Sequence, residues 1–163
     1  MSLRYIMQLL DIIDHAFKKV DFPPKEDLID CALPDQDYGF QVAEDLENWR
    51  TRTPDEDFLR EMHQELRKLS AVTTRWIIPH YLRYALTEQA KYSRMETSFF
   101  VLSLVARSEE EIEQVAKRLS SMNTEQVRCL KKVLEYLRAD TDWAEYMGEY
   151  IEAALATLRS LRI

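Results

Sequence analysis

Apolar residues in the first twenty positions fall at Leu3, Ile6, Leu10, Ile13, Phe17 and Val20, alternating three and four apart, with Leu9, Ile12 and Ala16 widening the stripe. That spacing predicts an amphipathic helix over 2–20. Phe22-Pro23-Pro24 ends it, and Pro24 suits the first turn of a short helix carrying Leu28, Ile29 and Ala32, which Pro34 stops. A weaker helical pattern covers 35–49, with Val42, Leu46 and Trp49 on one side. Thr53-Pro54-Asp55-Glu56 reads as a capping box with Thr53 as the cap, opening a helix whose buried side is Leu59, Met62, Leu66 and Leu69.

Between Val72 and Leu86 the pattern changes. Val72, Trp76, Ile77, Ile78, Tyr81, Leu82, Tyr84 and Leu86 occupy nearly every side of a helical projection, and a helix apolar all round belongs inside a protein. This segment is therefore expected at the centre. Pro79 lacks an N–H for the carbonyl four residues back, which predicts a kink or restart near Ile78. Beyond it, 95–106 reads as a buried helix. Ser108 with Glu111 and Asn123 with Gln126 open two more helices, and a last one runs from about Asp140 to Leu161. The fold class expected is all-α: one compact domain, residues 1–163, of about eight helices around a proline-broken centre.

Part of this pattern resembles a known family. Trp49, Leu59, Leu66-Arg67-Lys68-Leu69, Trp76 before Ile78-Pro79-His80-Tyr81-Leu82, then Leu119, Asn123-Thr124-Glu125-Gln126 and Val133-Leu134-Glu135-Tyr136-Leu137 carry the resemblance. It is to a family of small helical bacterial proteins classed as a domain of unknown function. The resemblance covers roughly residues 10 to 138 and leaves the last helix outside. Members tend to have leucine and a second aromatic before the proline, where this chain has Ile77 and Ile78. The resemblance implies a helical fold and a bacterial origin, and it transfers no catalytic residue.

Composition narrows the chemistry. A chain of 163 residues buries roughly 70% of its unfolded surface, enough for a core that needs neither disulfide nor metal. Its two glycines, Gly39 and Gly148, leave no material for a glycine-rich phosphate loop. Cys31 and Cys129 stand apart without a Cys-x-x-Cys spacing, as in a reduced cytoplasmic protein. No signal peptide is evident, and no apolar run reaches the roughly 20 residues a membrane-spanning helix needs. A cytoplasmic protein without a membrane role is expected.

Candidate chemical groups are few. His15, His63 and His80 fall on three different predicted helices with no His-Glu-x-x-His spacing, so no metal site and no cofactor are expected. Cys129 lies between Arg128 and Lys131-Lys132, inside an amphipathic helix where a cysteine is ordinarily a small core residue. Around Pro79, Arg75, His80, Tyr81 and Arg83 could make a basic, aromatic-walled pocket for an anion, or for an enzyme's substrate. The plain alternative has the arginines paired with acids such as Glu61, Glu65 or Glu88, and the rings in the core.

Charge points elsewhere. Of the formal −7, the segment 21–57 carries twelve acids against three bases, a local −9 that leaves +2 for the remainder. Such a field repels nucleic acid and attracts basic surfaces. A helix-turn-helix at Ser120-Ser121-Met122-Asn123, presenting Arg128, Lys131, Lys132 and Arg138, is the DNA-binding alternative, set against overall acidity. The leading expectation is a non-enzymatic protein-binding role, with Asp35, Asp37, Glu44 and Asp45 facing a basic partner, as in an immunity protein covering a cationic toxin. The first and last helices suit covering their own core or pairing between two copies, so a homodimer stays open.

Overall fold

The computed structural model describes residues 3–30 and 36–161, with side chains described up to 30 and from 39 onward. Among the described residues nine α-helices occur: α1 (Leu3–Ala16), α2 (Gln36–Glu47), α3 (Glu56–Met62), α4 (Ala71–Ala85), α5 (Ala90–Ser93), α6 (Met95–Leu102), α7 (Glu109–Arg118), α8 (Thr124–Ala139) and α9 (Thr141–Ser160). The all-α expectation holds.

α4 is the hub, touching α1, α3, α5, α6 and α7, while α8 packs along α9 and α1. Ten of its fifteen residues are buried. Ile77, Ile78, Tyr81 and Leu82 are essentially sealed, each contributing roughly 1.5–3 kcal/mol by leaving water. Val72, expected inside, is instead 40% exposed in the first turn. Nor does the helix restart at Pro79: α4 is continuous through it. A proline inside a helix costs about 3 kcal/mol, and the burial on both sides of Pro79 exceeds that.

Local signals settle the ends. Ser70 caps α4 by accepting from Thr73 N, and Ser108 caps α7 by accepting from Glu111 N. Asn123 and Gln126 form the reciprocal capping box expected at α8. At α3 the cap is Asp55, whose carboxylate accepts from Phe58 N at 3.1 Å, and not Thr53, which lies two residues too early. Glu56 instead holds Arg60 at 2.7 Å.

The short helix expected after Pro24 is only a 3-10 turn at Lys25–Asp27. Helix nucleation is costly over so few residues. The backbone finds partners elsewhere: Ile29 forms an isolated antiparallel bridge with Leu69, flanked by Asp30 N to Lys68 O at 2.9 Å and Ser70 N to Leu28 O at 3.3 Å. Cys31, Ala32 and Pro34 lie outside the described residues.

Gly39 has a local role. A Cβ at Gly39 would lie 2.9 Å from Ile29 Cδ1, so the missing side chain lets α2 approach that segment. In α9 the run is interrupted at Met147, whose φ of −148° and ψ of 29° leave the helix just before Gly148. Trp143 on α9 is 1% exposed, while Tyr146 and Tyr150 face outward at 47% and 42%.

Candidate functional site

In their described contacts the four residues expected around Pro79 meet different neighbours. Tyr81 is fully buried, gives its hydroxyl to the Leu59 carbonyl of α3 at 2.7 Å, and stacks on Phe100 at 5.3 Å. Burial, with Glu96 nearby, pushes its phenol well above the ordinary range. Arg75 Nε donates to Gln126 on α8 at 3.2 Å, and Gln126 in turn donates to the Ala16 carbonyl at 3.0 Å. Arg83 pairs with Asp14 on α1 at 2.9 Å. The arginines thus tie α4 to its neighbours, through partners other than the anticipated Glu61, Glu65 or Glu88. Glu61 accepts from Trp49 and Glu65 from Lys68.

His80 lies beside Trp76, ring centroids 5.0 Å apart. Burial, reinforced by the Arg83 charge, lowers its pKa to about 4. At neutral pH it is an uncharged imidazole and adds no positive charge to a basic pocket. His15 lies on the surface, 3.5 Å from Glu125, so the three histidines are dispersed. Among the described residues no group of three or more His, Cys, Asp or Glu could hold a metal ion. Cys129 is buried, and burial pushes its thiol up to about 11.

The acidic segment is partly neutralised within itself. Glu47 and Arg50 pair at 2.6 Å, and Arg50 also lies over Phe22 at 4.5 Å. Asp55 is committed to its cap and Glu56 to Arg60. Asp35 lies outside the described residues, as does the side chain of Asp37 on α2. Asp45 is half-buried and accepts from Gln41 at 3.0 Å, whereas Glu44 is exposed. One turn before Glu44, Phe40 is 70% exposed. Residues four apart share a helix face, so α2 presents a phenylalanine and a carboxylate together.

A second feature was not anticipated. A cavity of about 340 Å³ is lined by His63 and Gln64 after α3, Leu66 and Arg67 of the 3-10 turn Leu66–Lys68, Phe99 and Leu102 of α6, Ser103, Val105 and Arg107 of the next loop, and Glu111 of α7. Arg67 donates to the Leu102 carbonyl at 2.9 Å. Behind the wall, Arg118 donates to the Ser103 carbonyl at 2.6 Å, and its pKa is lowered to about 10 by burial and then by Arg67. His63 is 8% exposed, its ring 4.7 Å from Phe99, and its Nδ1 has no partner in the described structure. Sequence reasoning missed the group because its members come from three separated stretches, and no spacing joins residues 63–67 to 99–111.

The model of a family of unknown function, DUF6714, matches residues 6–158. The chain belongs to DUF6714. The match takes in most of α9, which the sequence resemblance had left out, so the last helix is part of the DUF6714 domain. No curated protein and no solved structure matches the chain. Among the described residues no helix is long and apolar enough to cross a membrane.

Proposed function

We propose that this DUF6714 chain is a non-enzymatic protein-binding domain that docks a basic partner on the outer face of α2. The observation that carries the reading is Phe40, 70% exposed one helical turn from the exposed Glu44, in the segment where the chain concentrates its negative charge. Acids steer a cationic partner to the surface and fix its register, and a buried aromatic then supplies affinity. Asp35, Asp37 and Asp45 belong to the same stretch of sequence and extend the field. An immunity protein that covers the active site of a cationic toxin is the form of this role that the chain's size and charge fit.

Full burial of one phenylalanine is worth about 2 kcal/mol, or roughly 30-fold in Kd. The tagged chain, presented to an extract of its source cells, is expected to retain a basic protein at low salt and release it as salt rises. Phe40→Ser and Glu44→Gln should each weaken retention while the melting temperature stays unchanged, both positions being exposed. Retention indifferent to salt and to both substitutions would remove the basis for the proposal.

A further inference from the structure

The positive charge of the chain is also unevenly placed. Formal charge is −7, yet the cavity between α3 and α6 has Arg67 and Arg107 in its lining, with Arg118 directly behind Ser103, against the single carboxylate of Glu111. That carboxylate already accepts the backbone N–H of Arg107. Arg118 donates to the Ser103 carbonyl, and burial, then the Arg67 charge, lower its pKa, with Asp30 offsetting part of this. Like charges gathered beside a partly desolvated cavity create a local field that an anion relieves.

Two further observations point to a ligand. Beside His63, Gln64 and Ser103, the rest of the lining is apolar, with Leu66, Phe99, Leu102 and Val105, and about 340 Å³ lies at the small end of ligand pockets. His63, more than nine-tenths buried in the same wall, has a ring nitrogen without a hydrogen-bond partner in the described structure. Buried polar atoms are almost always paired, and an orphan calls for an explanation. A site for inorganic phosphate would not need four apolar side chains, and Glu111 in the wall limits the charge it favours.

We propose that the cavity binds a small organic monoanion, its carboxylate taken by Arg67 and Arg107 and its apolar body laid along Phe99, Leu102 and Val105. Arginine's planar fork matches a carboxylate, and the apolar walls select an aromatic or branched body over a bare ion. Gln64, 3.5 Å from the His63 Nε2, stands beside the ring and couples its environment to occupancy. This inference does not rest on the α2 surface.

The test uses the full chain. Phenylacetate and 4-methylpentanoate are titrated, with 2-phenylethanol as the neutral counterpart and inorganic phosphate as the bare anion. Melting temperature and the NMR signals of the His63 ring are followed. At least one of the two carboxylates should bind saturably at millimolar concentration and shift the His63 signals. Its binding should be at least roughly tenfold tighter than that of 2-phenylethanol, and at least roughly tenfold weaker in Arg107→Gln. Arg107 is exposed, so this variant keeps the fold; Arg67→Gln serves as the second variant. The proposal is overturned if neither carboxylate saturates, if phosphate alone binds, or if Arg107→Gln and Arg67→Gln leave carboxylate binding intact.

Discussion

Tyr81 divides the two meanings that the Pro79 segment allowed, and Tyr81→Phe measures which one holds. The hydroxyl is fully buried and donates to the Leu59 carbonyl at 2.7 Å. Leu59 lies among the last four residues of α3, Glu56–Met62, whose carbonyls have no amide partner within the helix. Removing the hydroxyl leaves that acceptor shielded from water, at a cost of about 1–3 kcal/mol. The ring stack on Phe100, with planes 4° apart, survives the change, so no cavity term is added. For a chain of this length about 2 kcal/mol lowers the melting temperature by roughly 4–8 °C. Tyr84→Phe is the control, because Tyr84 is also buried but its hydroxyl has only a long 3.5 Å contact with Glu56 and lies near Ser93, so the change should cost less, about 1 kcal/mol at most. Urea unfolding of the two variants beside the parent gives the comparison. Equal losses in both, or a Tyr81→Phe loss below about 0.5 kcal/mol, would refute the assignment of Tyr81 as a core strut.

His80 titrates near 4, below its ordinary value, so the unfolded chain binds more protons between about 4 and 6.5. Stability from this residue is complete above pH 6.5 and lost as pH falls to about 4, by up to about 3 kcal/mol. NMR should place the His80 midpoint near 4, and a midpoint at 6.5 would contradict the packing against Trp76. Gly148→Ala should raise stability by about 0.5–1 kcal/mol in urea unfolding, because a Cβ there meets no atom within 4 Å. A loss would show that the break at Met147 requires glycine. In a Cys31→Ser background, Cys129 should resist a thiol reagent at pH 8 and react only on unfolding, its thiol being buried with a pKa of about 11. Rapid native labelling would place it at the surface.

Which features were legible follows from how far apart the deciding groups lie. The hub role of α4, the stripes of α1 and α8 and the cap at Asn123 are written within one or two helical turns, where periodicity and capping act. Local rules misjudged Pro79, since proline's cost is local whereas the burial that offsets it comes from five other helices. Leu28 and Ile29 failed as a helix for the same reason, their partners being the backbone of 68–70. Among the expected site residues, Arg75, Arg83 and Tyr81 were correctly located on one helix, but their roles depend on Gln126, Asp14 and Leu59 across the fold. Nor does any local pattern mark Glu96 of α6, fully buried. Burial alone would raise its pKa, yet Ser93, its own backbone N–H and Arg60 hold it below the ordinary carboxylate range.

Charge placement connects the two proposed sites and gives each a different response to salt. A basic partner approaching Phe40 and Glu44 is drawn by the −9 segment, whereas an organic anion bound for Arg67 and Arg107 is repelled by the same charge. The Debye length falls from about 30 Å at 0.01 M to about 10 Å at 0.1 M, so added salt removes both long-range effects while leaving short contacts inside the cavity less affected. Partner association at α2 should therefore slow with salt over this range, whereas anion entry should hold steady or quicken. The contrast depends on the two regions being separate on the molecule, one on the exposed side of α2 and the other between α3 and α6. Stopped-flow measurement of both processes on one preparation checks it. Slowing of both by the same factor would mean that a single charged surface governs them, and the separation argued from Phe40 and from Arg67 would fail.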